Sequence, residues 1–207
     1  MKHAAATFLS VVFHPLLVPT YLAALVVIGS TPTQSSGSLT LGVVAGCTFG
    51  LPALGTGLLY YRGRLESFML QERRQRYGPL LLTACCFGLA TYLVTNSPGV
   101  PRLLPLLLGG MTVAVLLTFL ITFWWKISAH GVGMGGALAT LLMLGRPSWG
   151  WAALFGLALG LTAAAAVAWA RLALQAHTRA QVWAGLLLGL TTGLAVILLG
   201  GAFSFGS

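Results

Sequence analysis

Long apolar runs separated by short polar interruptions dominate the chain, and their pattern predicts helices that cross a membrane. Seven segments stand out, at about 4–29, 40–61, 79–96, 102–125, 127–145, 149–170 and 182–204. Each is far longer than the alternating ten-residue strands of a membrane barrel, so the expected spans are helical. Two links, Thr31–Ser38 and Asn96–Pro101, have the Ser/Pro/Gly content of turns, and Arg62–Gly78 is the one substantial polar loop. The pattern therefore predicts an all-α polytopic bundle of six to seven transmembrane helices. Residues 1–207 form a single integral membrane domain in this expectation, with no room for a second one.

Small residues recur at helical spacing. Gly42-xxx-Gly46-xxx-Gly50, Gly156-xxx-Gly160 and Gly185-xxx-Gly189 each place glycines on one helix face, an arrangement that lets backbones approach closely in a bundle. His14 lies inside the first segment beside Pro15. The expected role is structural, with a proton relay as the alternative: proline frees backbone carbonyls, and a neutral imidazole donates to one of them.

Composition sharpens the class. Of 207 residues, 57% are apolar and 6% charged, and mean hydropathy is +0.93. A soluble domain carries about 25% charged residues, so a soluble globular protein is excluded. The two acids are Glu66 and Glu72, and aspartate is absent. Two carboxylates are too few for a carboxylate-built metal cage, so no metal and no cofactor are expected. The net charge of +9 does not point to nucleic acid, because the basic residues sit between apolar segments and not on an aromatic-laced soluble face. Cys47, Cys85 and Cys86 fall inside apolar runs and read as small packing residues. The first segment exceeds the apolar core of a signal peptide and reads as a retained span. Lys2, Arg62, Arg64, Arg73, Arg74, Arg76, Lys126, Arg171 and Arg179 fall on the N-terminal side, against Arg102 and Arg146 on the other. That asymmetry places the N-terminal face in the cytoplasm, in a membrane of bacterial inner (plasma) type.

Three polar clusters interrupt the apolar background, each after an even-numbered segment, so all three open on the same side. They are Glu72-Arg73-Arg74-Gln75-Arg76, then Lys126-Ile127-Ser128-Ala129-His130-Gly131, then Arg171-x5-His177-x3-Gln181. Ser128 suits an N-cap, and the glycines after it offer unshielded backbone N–H groups at a helix N-terminus. His177 and Gln181 are four apart and share a helix face. Each cluster alone is accounted for by interfacial caps, snorkelling side chains and a basic loop against anionic head groups. Together, two imidazoles, four guanidinium groups and an ammonium converge where only two acids exist to neutralise them. Planar donors for oxygen charge, with imidazoles able to attack phosphorus or protonate a leaving group, suit a phosphate.

The order basic cluster, Ser-x-His, Arg-x5-His-x3-acid within membrane spans resembles the type 2 phosphatidic acid phosphatase superfamily, whose fold is related to that of the vanadium haloperoxidases. The resemblance covers roughly residues 72 to 189. It implies that His177 is the nucleophile forming a phosphohistidine, that His130 protonates the leaving group, and that Arg171 clamps phosphate. It further implies phosphate contacts from Ser128, Lys126 and one or more of Arg73, Arg74 and Arg76. The chain has Ile127-Ser128-Ala129-His130 where the family shows Pro-Ser-Gly-His, and Gln181 where an acid orients the nucleophile. Glu72 is then a possible charge partner, with a local salt bridge to Arg73 or Arg76 as the alternative. The implied partner is a phosphorylated lipid, and the implied activity is metal-independent phosphoric ester hydrolysis. A catalytically inactive lipid-phosphate binding or translocating protein and a lipid phosphotransferase stay open beside it. Oligomeric state is not legible.

Overall fold

A computed structural model describes the chain except residues 30–33, 68–71, 145–149 and 205–207. Arg146, counted above for sidedness, lies outside the described residues. Every regular element among the described residues is helical. Among the described residues, four helices are long and apolar enough to cross a membrane: Gly37–Tyr61, Arg74–Thr95, Leu103–Thr122 and Gly150–Ala173. Contacts divide the chain into two compact units, Met1–Val18 with Ile127–Ser207, and Pro19–Lys126.

The first apolar segment differs from the single span expected over 4–29. It consists of α1 (Lys2–Val12) and α2 (Val18–Gly29), separated by a non-helical break. Pro15 explains the break. It lacks the N–H that would continue the ladder, and its ring disfavours helical backbone at His14. Pro19 sits in the first turn of α2, where its missing donor costs nothing.

In the unit Pro19–Lys126, α3 (Gln34–Ala45) starts inside the expected Thr31–Ser38 link and runs through a π-helical turn, Gly46–Gly50, into α4 (Leu51–Tyr61). A short 3₁₀ turn, Arg74–Arg76, leads into α5 (Tyr77–Thr95), which pairs with α6 (Leu103–Thr122). Buried Phe87, Ala90 and Val94 of α5 and Leu104, Leu107 and Leu108 of α6 supply the apolar core here. Thr91 and Thr112 approach across the pair at 3.2 Å while each bonds the carbonyl four residues back. Their polar groups are thus satisfied without water.

The other unit contains α1, α7 (Ala129–Leu144), α8 (Gly150–Ala173) and α9 (Arg179–Ser204). α8 packs on α7 and α1, and α7 and α9 form the most extensive helix pair among the described residues. Glycine makes that pair possible. A Cβ at Gly131 would lie 2.8 Å from the Val182 carbonyl oxygen, and one at Gly185 would lie 2.5 Å from the Ser128 carbonyl oxygen. At Gly135 and Gly189 an added Cβ would collide with the Leu186 and Val132 carbonyls. The other two glycine motifs do not serve this purpose. A Cβ at Gly42, Gly46 or Gly156 meets no described atom within 4 Å, and the nearest atoms to one at Gly160 belong to the Leu141 and Leu138 side chains. Met134, Ala164 and Val167 form the buried apolar centre, with Phe13 and Leu186 packed against it.

Candidate functional site

The close α7–α9 contact brings the second and third polar clusters together. The Ser128 N–H donates to the Gln181 backbone carbonyl at 3.2 Å, joining the start of α7 to the start of α9. Ser128 is fully buried and caps α7, its Oγ accepting the Gly131 N–H at 3.2 Å. Gly131 and Gly135, which the sequence suggested as bare amides for an anion, instead face α9 and permit its approach.

At the start of α9, Thr178 and Gln181 form a reciprocal capping box. The Gln181 N–H donates to Thr178 Oγ1 at 3.4 Å, and the Thr178 N–H donates to Gln181 Oε1 at 3.2 Å. The same Oε1 lies 3.0 Å from Nδ1 of His177, a buried residue. The cap fixes which end of the amide is oxygen, and an amide oxygen only accepts. Nδ1 therefore carries the proton, and Nε2 of the neutral ring holds the lone pair. A Thr-x-x-Gln signature ahead of an apolar run was the local signal for this arrangement.

His130, in the first turn of α7, places Nε2 2.9 Å from the backbone carbonyl oxygen of Ser10. That carbonyl belongs to the last turn of α1, where helix carbonyls lack intrahelical partners. The freed carbonyl expected near Pro15 thus takes its donor from His130, not from His14. His14 instead accepts the Leu16 N–H on Nδ1 at 3.3 Å and packs edge-on against His130, with ring centroids 5.6 Å apart. Arg171, near the end of α8, donates from Nη1 to Ser10 Oγ at 3.2 Å. Its Nε is buried and has no hydrogen-bond partner. Arg171, His14 and His177 all lie close enough to His130 to act on its charge. Arg171 also borders a narrow crevice that is otherwise apolar, with Gly131, Met134, Val167, Val182 and Leu186 among its walls.

The electrostatics of this unit are one-sided. Both acids of the chain fall within Pro19–Lys126, so the unit that holds Arg171 contains no aspartate or glutamate. Arg171, partly buried, thus has no carboxylate in its own unit and keeps a buried Nε–H without an acceptor. His14, weighed above between a structural and a proton-relay role, belongs to this cluster, as does Ser10, which the sequence pattern did not single out. Ser10 had one available signal: it is a hydroxyl on the face of α1 that also buries Ala6.

Glu72, Arg73, Arg74, Arg76 and Lys126 belong to the other unit. Glu72, Arg73 and Arg74 are exposed, and Arg73 Nη1 donates to the Trp124 carbonyl at the end of α6. Tyr77, Phe119, Phe123 and Trp124 pack their rings beside that bond. Comparison with family models, with curated proteins and with solved structures returns no match.

Proposed function

We propose that the chain is a membrane lipid phosphatase, a divergent relative of the type 2 phosphatidic acid phosphatases, that works through a phosphohistidine on His177. The observation that carries this is the pairing of His177 Nδ1 with Gln181 Oε1 at 3.0 Å, in the acid-free unit that holds the unpartnered Nε of Arg171. A nucleophilic imidazole needs its far nitrogen held, so that the near one points its lone pair at phosphorus. A guanidinium edge needs an oxyanion.

In this proposal Nε2 of His177 forms a bond to phosphorus as the bond from phosphorus to the lipid oxygen breaks. The departing alkoxide takes a proton from Nδ1 of His130, whose Nε2–H stays on the Ser10 carbonyl. The charge of the bound phosphate is what allows His130 to hold its second proton. Water then attacks phosphorus, returns a proton to His130 and releases inorganic phosphate, leaving both imidazoles as they began. Positioning and preorganised charge supply most of the acceleration. The substrate is a lipid phosphomonoester or diphosphate. The proposal includes six to seven spans in a bacterial inner membrane, with the site on the cytoplasmic side according to the Lys/Arg asymmetry.

The second reading is a lipid-phosphate binding or translocating protein without turnover. One observation favours it: Gln181 is uncharged and already explained by its capping box, so an imidazolium on His177 gains no ionic support. Phosphate release by the detergent-solubilised chain, offered phosphatidate, phosphatidylglycerophosphate and a prenyl diphosphate, separates the two. The phosphatase reading expects release that His177→Ala abolishes while lipid-phosphate binding stays. Tight binding without release, with or without an added alcohol acceptor, supports the binding protein. Release by His177→Ala at the normal rate removes the assigned nucleophile.

A further inference from the structure

Ser10 is the point where α1 meets the proposed chemistry. Most of α1 is exposed, and the residues it buries are Ala6 and Ser10, four apart on one face. That face lies against α8. A hydroxyl on a buried docking face is costly unless it is hydrogen-bonded, and this one accepts from Nη1 of Arg171 at 3.2 Å. The backbone carbonyl of the same residue holds Nε2 of His130 at 2.9 Å. One residue thus grips two groups that lie 120 and 161 positions away in the chain.

We infer that Ser10 is a positioning residue: it takes up Nη1 of Arg171 so that the edge formed by Nε and Nη2 is presented to phosphate oxygens, while its carbonyl holds the His130 ring. A guanidinium offers two bidentate edges that share Nη2, one completed by Nη1 and the other by Nε. Ser10 takes up Nη1, which serves the first, and the buried Nε has no partner, which selects the second. The inference rests on the phosphatase reading only in needing an oxyanion at Arg171. It applies equally to a lipid-linked phosphate and to free phosphate.

Orthovanadate binding to the full-length chain in maltoside micelles, followed calorimetrically, tests it. Arg171→Ala should abolish binding. Ser10→Ala removes the hydroxyl and keeps the carbonyl, and should weaken binding about tenfold, the factor for a hydrogen bond to a charged group worth about 1.4 kcal/mol. Ser10→Thr restores a hydroxyl and should stay within about twofold of the native chain, on the same scale. Native-like binding by Ser10→Ala beside a defective Arg171→Ala overturns the role of Ser10 and leaves the phosphate site standing. Equal weakening by the alanine and threonine variants also overturns it, because packing of α1 and not the hydroxyl would then be what matters. A native chain that binds no vanadate overturns the phosphate site and the role of Ser10 together. Free orthophosphate and a short-chain phosphatidate, competed against vanadate, tell whether the edge prefers the free ion or the lipid.

Discussion

Replacing Gly189 by alanine puts a methyl group where α7 and α9 touch. The new Cβ would overlap the Val132 carbonyl oxygen and lie 2.7 Å from the Gly136 nitrogen and 2.8 Å from the Val132 carbonyl carbon. Non-bonded carbon contacts are comfortable at about 3.5–4.0 Å, so the helices must part by about 1 Å. All three obstructing atoms are backbone and cannot rotate aside. Overpacking of this kind costs about 1–3 kcal/mol. Alanine recovers up to about 1 kcal/mol through helix propensity. A net loss of about 1–2 kcal/mol, or about five- to thirtyfold in the folding equilibrium, is therefore expected. Gly42→Ala is the matched control: a Cβ there meets no described atom within 4 Å. It keeps the propensity gain and should be neutral or slightly stabilising. Equilibrium unfolding of both variants by denaturing detergent in mixed micelles measures the difference. Because the Ser128–Gln181 bond spans the same helix pair, the Gly189 variant should also lose vanadate affinity. Equal stability of the Gly189 and Gly42 variants would refute the assignment of α7–α9 as the close-packed pair.

Other consequences concern the orienting amide, the membrane side and the metal. Gln181→Asp keeps an acceptor at the same offset and adds charge, so turnover should hold or rise; Gln181→Ala should lose turnover and about 1 kcal/mol of stability through the capping box, and abolition of activity by the aspartate would separate the pair from catalysis. Cysteine placed at Ser67 should resist an impermeant thiol reagent on intact cells if the polar loop is cytoplasmic, and strong labelling would reverse the assigned side. Phosphate release should survive EDTA and fall with vanadate, a mimic of the pentacoordinate transition state. Complete loss with EDTA, restored by magnesium, would end the phosphohistidine mechanism.

Much of the helical outline was legible from apolar run length alone. The segments at 79–96 and 102–125 correspond to Tyr77–Thr95 and Leu103–Thr122, and those at 149–170 and 182–204 to Gly150–Ala173 and Arg179–Ser204. The break in the first segment was written in Pro15, but its apolar neighbours hide it from any measure of hydropathy. Which glycine motif packs was not legible, because Gly42-xxx-Gly46 and Gly185-xxx-Gly189 have the same spacing and differ only in what stands opposite.

Composition and short-range spacing suffice for the helical class, the shortage of acids and the helical offset that joins His177 to Gln181. Helix packing set the rest of the site. It gave the Ser10 carbonyl to His130, placed a hydroxyl on Nη1 of Arg171 and set Gly131 and Gly135 against the α9 backbone. The difference is one of range. A helix turn fixes neighbours three or four residues apart, whereas the partners of Ser10 are more than a hundred residues away, and only the packing of α1, α7 and α8 brings them within hydrogen-bond reach.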